Sequence, residues 1–156
     1  MTVRFACEKD IPQMNSLLYQ VERVHQQGRA DLFKEGAKKY TDNELKAILK
    51  DKTKPIFAAV DENDVMKGYA FCVFQEHKGD NVLTDIKTLY IDDLCVDENC
   101  RGQHIGSVLY EAVKKFAKEQ GCYNVTLNVW ECNPSARKFY EKAGLKPYKT
   151  GMEVIL

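Results

Sequence analysis

The run Tyr90–Phe116, YIDDLCVDENCRGQHIGSVLYEAVKKF, constrains this chain more than any other. Tyr90–Val96 is apolar apart from two acids and predicts a buried strand. Asp97–His104 is a short polar loop that ends in Arg101, Gly102, Gln103 and His104. From Ile105 to Gln120 the apolar residues Ile105, Val108, Leu109, Ala112, Val113, Phe116 and Ala117 recur with the spacing of one helical face. Gly121 is the residue expected just past the helix end. A strand, a tight glycine-containing loop and a helix start form an arrangement that suits phosphate groups. The first N–H groups of a helix lack internal partners, and the helix dipole is positive there. Gly102 and Gly106 allow close approach of the backbone, and Arg101 adds a charge. The loop is neither GxGxxG nor GxxxxGK[ST], so neither dinucleotide nor ATP chemistry is specified. Alone, it is equally a plain strand–helix connection.

The flanking sequence supplies the rest of a mixed α/β domain. Thr2–Cys7 predicts a first strand. Asp10 is placed to cap a helix with Pro12 in its first turn and a stripe of Ile11, Met14, Leu17, Leu18, Val21 and Val24. Gln26–Tyr40 is polar and broken by Gly28 and Gly36, with a helical turn at Leu32 and Phe33. It reads as a helix connection or as the mobile rim of a site. Thr41–Lys50 predicts a second helix capped by Thr41 or Asp42. Strands follow at Pro55–Val60, Val65–Glu76 and Val82–Val96, with Gly68 marking a bulge or a close approach. After the central helix come a strand at Cys122–Val129 and a helix opened by Asn133-Pro134 and ended by Gly144. A last strand has Met152–Leu156 as its core.

Composition closes off several classes. A length of 156 residues fits one domain spanning 1–156. Lys plus Arg, 23, equals Asp plus Glu, 23, which argues against a nucleic-acid binder held by phosphate attraction. The N-terminus MTVRFACEKD has no apolar core of a signal peptide, and no run reaches transmembrane length. No membrane association and a cytoplasmic location are therefore expected. The six cysteines show no CxxC and do not group with His25, His77 or His104 at metal-site spacing, so reduced packing thiols and no metal are expected.

Two motifs stand in order: Leu94-Cys95-Val96 with Arg101-Gly102-Gln103-His104-Ile105-Gly106, and Asn133-Pro134-Ser135-Ala136-Arg137-Lys138-Phe139-Tyr140-Glu141-Lys142-Ala143-Gly144-Leu145. Together, and with the element order, they resemble the GNAT superfamily of acetyl-CoA-dependent N-acetyltransferases over nearly the whole chain. The resemblance implies a mostly antiparallel mixed sheet with flanking helices, whose fourth and fifth strands splay apart around acetyl-CoA. It implies that the pantetheine arm pairs with the backbone of Leu94, Cys95 and Val96 as an added strand would. It implies a pyrophosphate on Arg101, Gly102, Gln103, His104, Ile105, Gly106 and Ser107, with Asn133 and Ser135 bordering the arm and Tyr140 beside the thioester sulfur. His104 stands where the family loop usually has glycine. If that position needs positive φ, histidine is disfavoured there.

The expected reaction is attack of a primary amine on the acetyl thioester, the acceptor being a polyamine, another small amine, or a lysine or peptide amino group. The leaving thiolate needs an acid, and Tyr140 is the candidate. The ammonium must lose a proton, because in its charged form it has no lone pair. Asp92 is the candidate base, through water. It is placed by alternation on the face of Leu94, and it resembles an acid in the superfamily's diamine acetyltransferases. Asp93 is expected to face the other way. Tyr90 and Glu131 are candidates for binding the amine, and Glu22, His25, Asp31 and Phe33 for the acceptor rim. A homodimer is among the assemblies left open. A non-catalytic acyl-CoA-binding or sensing module is the alternative activity.

Overall fold

The computed structural model describes residues 1–156. Its strands are β1 Thr2–Phe5, β2 Ile56–Val60, β3 Met66–Glu76, β4 Lys87–Val96 and β5 Asn124–Leu127. They form one sheet in chain order. The first four are antiparallel neighbours, and β5 joins β4 in parallel. Helices α1 Ile11–Gly28 and α2 Asp42–Lys50 precede β2, α3 Ile105–Glu119 crosses between β4 and β5, and α4 Pro134–Lys142 follows β5. This is the mixed α/β architecture the sequence implies.

Two cores sandwich the sheet. Ile11, Met14, Leu17 and Leu18 of α1 and Leu45 of α2 pack on Ala58, Tyr69 and Phe71. On the opposite face Ile105, Leu109, Val113 and Ala117 of α3 pack on Ala59, Ala70, Leu89 and Ile91, with Phe139 of α4 at the edge. All five residues of β2 are buried, so its uninterrupted apolar run reflects cover on both sides. Thr41 caps α2 through a reciprocal box: its hydroxyl accepts from the Glu44 N–H at 3.2 Å, and the Glu44 carboxylate accepts from the Thr41 N–H at 2.7 Å. Gly68 serves both expected purposes. The β2–β3 register shifts beside it, and a Cβ there would sit 2.8 Å from the Cys95 carbonyl oxygen.

Three expectations are corrected. Asp10 does not cap α1. It is buried, accepts from the Cys7 N–H at 2.8 Å, and is clamped by both guanidinium nitrogens of Arg4 at 2.7 and 2.9 Å. Its carboxylate therefore closes a short 3-10 turn, Glu8–Asp10, that precedes the helix. Val82–Ile86 is not strand. β4 begins only at Lys87, and Val82 and Leu83 are exposed. The C-terminal segment forms no strand either. Met152, Val154, Ile155 and Leu156 lie in solvent.

Candidate active site

The register of β4 builds the site. It pairs with β5 only from Thr88 to Ile91, opposite Asn124 to Leu127. Beyond Ile91 the two strands separate, and the β5-facing edge of Asp92–Val96 has no strand beside it. Leu94, Cys95 and Val96 thus keep a free edge to which an extended ligand can add. On its other side β4 remains paired with β3 through Val96.

The free edge leads into a loop rich in unused donors. A 3-10 turn at Glu98–Cys100 follows β4, with Asp97 capping it through the Asn99 N–H at 3.0 Å. From Arg101 to Ser107 no backbone N–H has a protein acceptor. Seven consecutive free donors at the opening of α3 suit an anion. Gly102 has φ 80° and His104 φ 62°, so both take the left-handed conformation. At His104 this is the strained backbone that a glycine would relieve. Gly106 has another use: a Cβ there would lie 3.2 Å from the Phe139 ring, so its bareness lets α4 pack against α3.

A bulge overturns the expected direction of the two acids. Phe71 pairs with Asp93 and Cys72 with Ile91, leaving Asp92 as the extra residue of β4. Alternation breaks there. Leu94 and Val96 pack with the α3 face, whereas Asp92 and Asp93 both bond to residues packed on the α1–α2 face. Asp92 accepts from the Tyr40 hydroxyl at 2.5 Å and pairs with the Lys39 ammonium at 2.8 Å. Asp93 accepts from the buried Tyr69 hydroxyl at 2.8 Å. Desolvation pushes the Asp93 carboxyl up to about 6, opposed by the Tyr69 hydrogen bond and by Lys39.

Tyr140 lies on the first helix after β5, half-buried, with its ring 5.1 Å from that of Phe139. Its hydroxyl makes no hydrogen bond within the protein. Burial raises its pKa first, and the nearby Asp93 and Cys95 raise it further, which keeps the phenol protonated. Asn133 places this helix by capping it, its side-chain oxygen accepting from the Ala136 N–H at 3.1 Å; Ser135 is exposed in the first turn. Cys95 points its thiol toward the Leu17 carbonyl, at 3.5 Å, and burial pushes its pKa up to about 12.

The structure gathers part of the expected rim. His25 and Phe33 have ring centroids 5.2 Å apart, and Phe33 meets Trp130 edge-on at 5.1 Å. Glu22 lies 3.9 Å from His25, whose pKa is lowered by burial. The Tyr90 hydroxyl accepts from the Asn128 amide at 3.2 Å where β4 and β5 part. Two candidates sit apart. Asp31 is held by Arg29 at 2.8 Å, and Glu131 is exposed and held by Arg137 at 2.7 Å. Sequence reasoning missed Trp130, Lys39, Tyr40 and Tyr69. The lone tryptophan just after a strand was a usable signal, but the partners of the bulged acids had none.

Residues 19–145 match the profile of the acetyltransferase (GNAT) family. Among curated relatives, the probable glucosamine 6-phosphate N-acetyltransferase 2 of Oryza sativa subsp. japonica is 36% identical over 58 residues, 37% of this chain and 33% of that protein. The glucosamine 6-phosphate N-acetyltransferase of Candida albicans is 37% identical over 60 residues, 38% of each chain. The match thus spans little more than a third of these relatives. A mutant of the BH1408 protein from Bacillus halodurans superposes with a TM-score of 0.95 at 28% identity, covering 100% of both chains. An aminoglycoside acetyltransferase from an uncultured soil metagenomic sample, solved with sisomicin, shares the fold at a TM-score of 0.75 and 21% identity over 99% of this chain and 95% of that one. With the profile covering most of its length, the chain belongs to the acetyltransferase (GNAT) family.

Proposed function

We propose that the protein is an N-acetyltransferase that moves an acetyl group from acetyl-CoA to a primary amine. The observation that carries this is the continuity of two unused sets of backbone groups: the free edge of Leu94–Val96 and the seven free N–H groups of Arg101–Ser107. Together they fit a long ligand with an amide-bearing arm and a diphosphate. Leu94, Cys95 and Val96 hold the arm, and Arg101–Ser107 hold the phosphates, with Asn133 and Ser135 alongside. When bound, acetyl-CoA supplies the activated acetyl thioester.

The chain's own groups do the rest. Tyr140, protonated and without a protein partner, donates a proton to the departing sulfur. The carboxylate pair made by the bulge handles the amine. Asp92 is committed to Lys39 and Tyr40, so it acts by holding a cation and those two side chains in place. Asp93 takes the role first given to Asp92, since its raised pKa near 6 suits accepting a proton at neutral pH. Tyr90, Glu22, His25, Phe33 and Trp130 border the amine's approach. Relatives named for amino sugars and aminoglycosides put those amines first among acceptors, with polyamines and lysine or peptide amines next. The same reading includes a homodimer and a cytoplasmic location.

The test is thiol release from acetyl-CoA over a panel of glucosamine 6-phosphate, aminoglycosides, polyamines and a lysine peptide. Release above background hydrolysis with at least one amine is the expected result. Binding of acetyl-CoA without transfer to any of them would leave a binding module instead.

A further inference from the structure

A primary amine of the chain itself already stands at the mouth of the cleft. The Lys39 Nζ lies 2.8 Å from the Asp92 carboxylate and donates to the Asp92 backbone carbonyl at 3.2 Å. Asp92 is the first residue of β4 past its last pair with β5, Ile91 with Leu127, and lies two residues before the free edge at Leu94. The Lys39 charge reaches Asp93, Tyr90 and His25, and the Asp93 charge in turn reaches the Tyr140 phenol. An amine, a carboxylate placed to take a proton and a phenol placed to give one are thus gathered in one corner.

The segment that carries Lys39 is tied down by side chains alone. The backbone groups of Lys38, Lys39 and Tyr40 make no bond to other backbone groups. Lys38 bonds to Asn15 of α1 at 2.6 Å and to Asp42 of α2 at 2.9 Å, and the Tyr40 hydroxyl bonds to Asp92 at 2.5 Å. Such ties exchange without breaking a ladder, and a lysine stem is long and flexible. The ammonium is therefore both held at the site and free to advance from it.

We propose that Lys39 is the protein's own acetyl acceptor: with acetyl-CoA in the cleft and no other amine present, the chain acetylates its own Lys39 Nζ. The proposal rests on the acetyl-transfer reading of the site. The ammonium first gives one proton to Asp93, through water, because only the free amine has a lone pair. That lone pair forms the bond from Nζ to the acetyl carbon. The C–S bond breaks with its electrons on sulfur, and Tyr140 protonates the thiolate. A second proton from the nitrogen replaces the one Tyr140 gave. The products are an acetylated lysine, free CoA and one proton released to water. The amide carries no charge, so the ion pair with Asp92 is lost.

The test is incubation of the full chain with acetyl-CoA alone at neutral pH, followed by fragment mass spectrometry that separates Lys39 from Lys38. Lys38 is also paired with one aspartate but is bonded to α1 and α2 instead of β4, so it reports plain chemical acetylation. Lys39 is expected to react about 10²-fold faster or more, the advantage of a nucleophile held in place. Its rate per chain is expected to be unchanged on dilution, and excess CoA, which fills the cleft without an acetyl group, to suppress it. Equal rates at the two lysines, a rate that falls on dilution, or indifference to CoA overturns the proposal. Thiol release with an added amine but no acetyl on Lys39 overturns this proposal alone. Absence of both overturns the acetyl-transfer reading with it.

Discussion

Tyr140, Asp93 and His104 each hold one consequence that a single substitution exposes. Tyr140→Phe removes the donor and keeps the ring. Thiol release is expected to fall about 10²-fold or more, the usual contribution of a positioned acid, with acetyl-CoA affinity nearly unchanged. Equal loss in both would make the residue a packing element. Asp93 faces Tyr69 from β3, Asp92 and Cys95 from β4, Lys39 and Tyr40 from the connection before α2, Glu22 from α1 and Tyr140 from α4. Its pKa is raised, so the working, deprotonated form is lost below about 6. The kcat/KM profile is expected to rise with pH through that value, and Asp93→Asn to abolish the limb. His104, at φ 62°, departs from the glycine usual in the family. His104→Gly is expected to raise stability by about 1 kcal/mol, read as an increase in Tm, because the left-handed backbone no longer costs a Cβ clash.

At the level of elements, order and type were legible because periodicity and caps were strong. The stripe of α3, the Thr41 box of α2 and the Asn133-Pro134 opening of α4 are local signals, and each needs only its own neighbours. What the sequence hid depends on partners far along the chain. The bulge at Asp92 arises from how β3 and β4 slide past one another, so alternation put Asp92 on the wrong face. Asp10 looked like a cap because its pairing with Arg4 crosses from β1 to the turn before α1. The apolar C-terminus reads as a strand whether or not its own sheet receives it. The Asp10–Arg4 pair has an element-scale consequence. Burial alone would raise the carboxyl, but Arg4 and the Cys7 N–H hold it below the ordinary range. Its stabilisation is therefore present at neutral pH and lost as acid protonates it. Asp10→Ala, which strips the Cys7 N–H of its acceptor and leaves Arg4 with Asp64 alone, is expected to cost about 2 kcal/mol by urea denaturation.

Across the whole molecule, ligand occupancy and stability are linked. If acetyl-CoA takes the free edge of β4 and the donors of Arg101–Ser107, then at a hundredfold excess over Kd it stabilises the fold by about 2.7 kcal/mol. A clear rise in Tm is expected with acetyl-CoA and little with acetate alone; no shift would remove the cofactor assignment. The parting of β4 and β5 after Ile91 also bears on how the molecule moves. Below that point only four residue pairs zip the last strand to the rest, with α3 as the strap behind them. Four pairs make a short zip, and an extended ligand laid between the parted ends of the two strands adds hydrogen bonds along the same line. Amide deuterium uptake in β5 should therefore be quick in the empty protein and slow in the loaded one, so that rigidity itself reports whether the protein is charged for work.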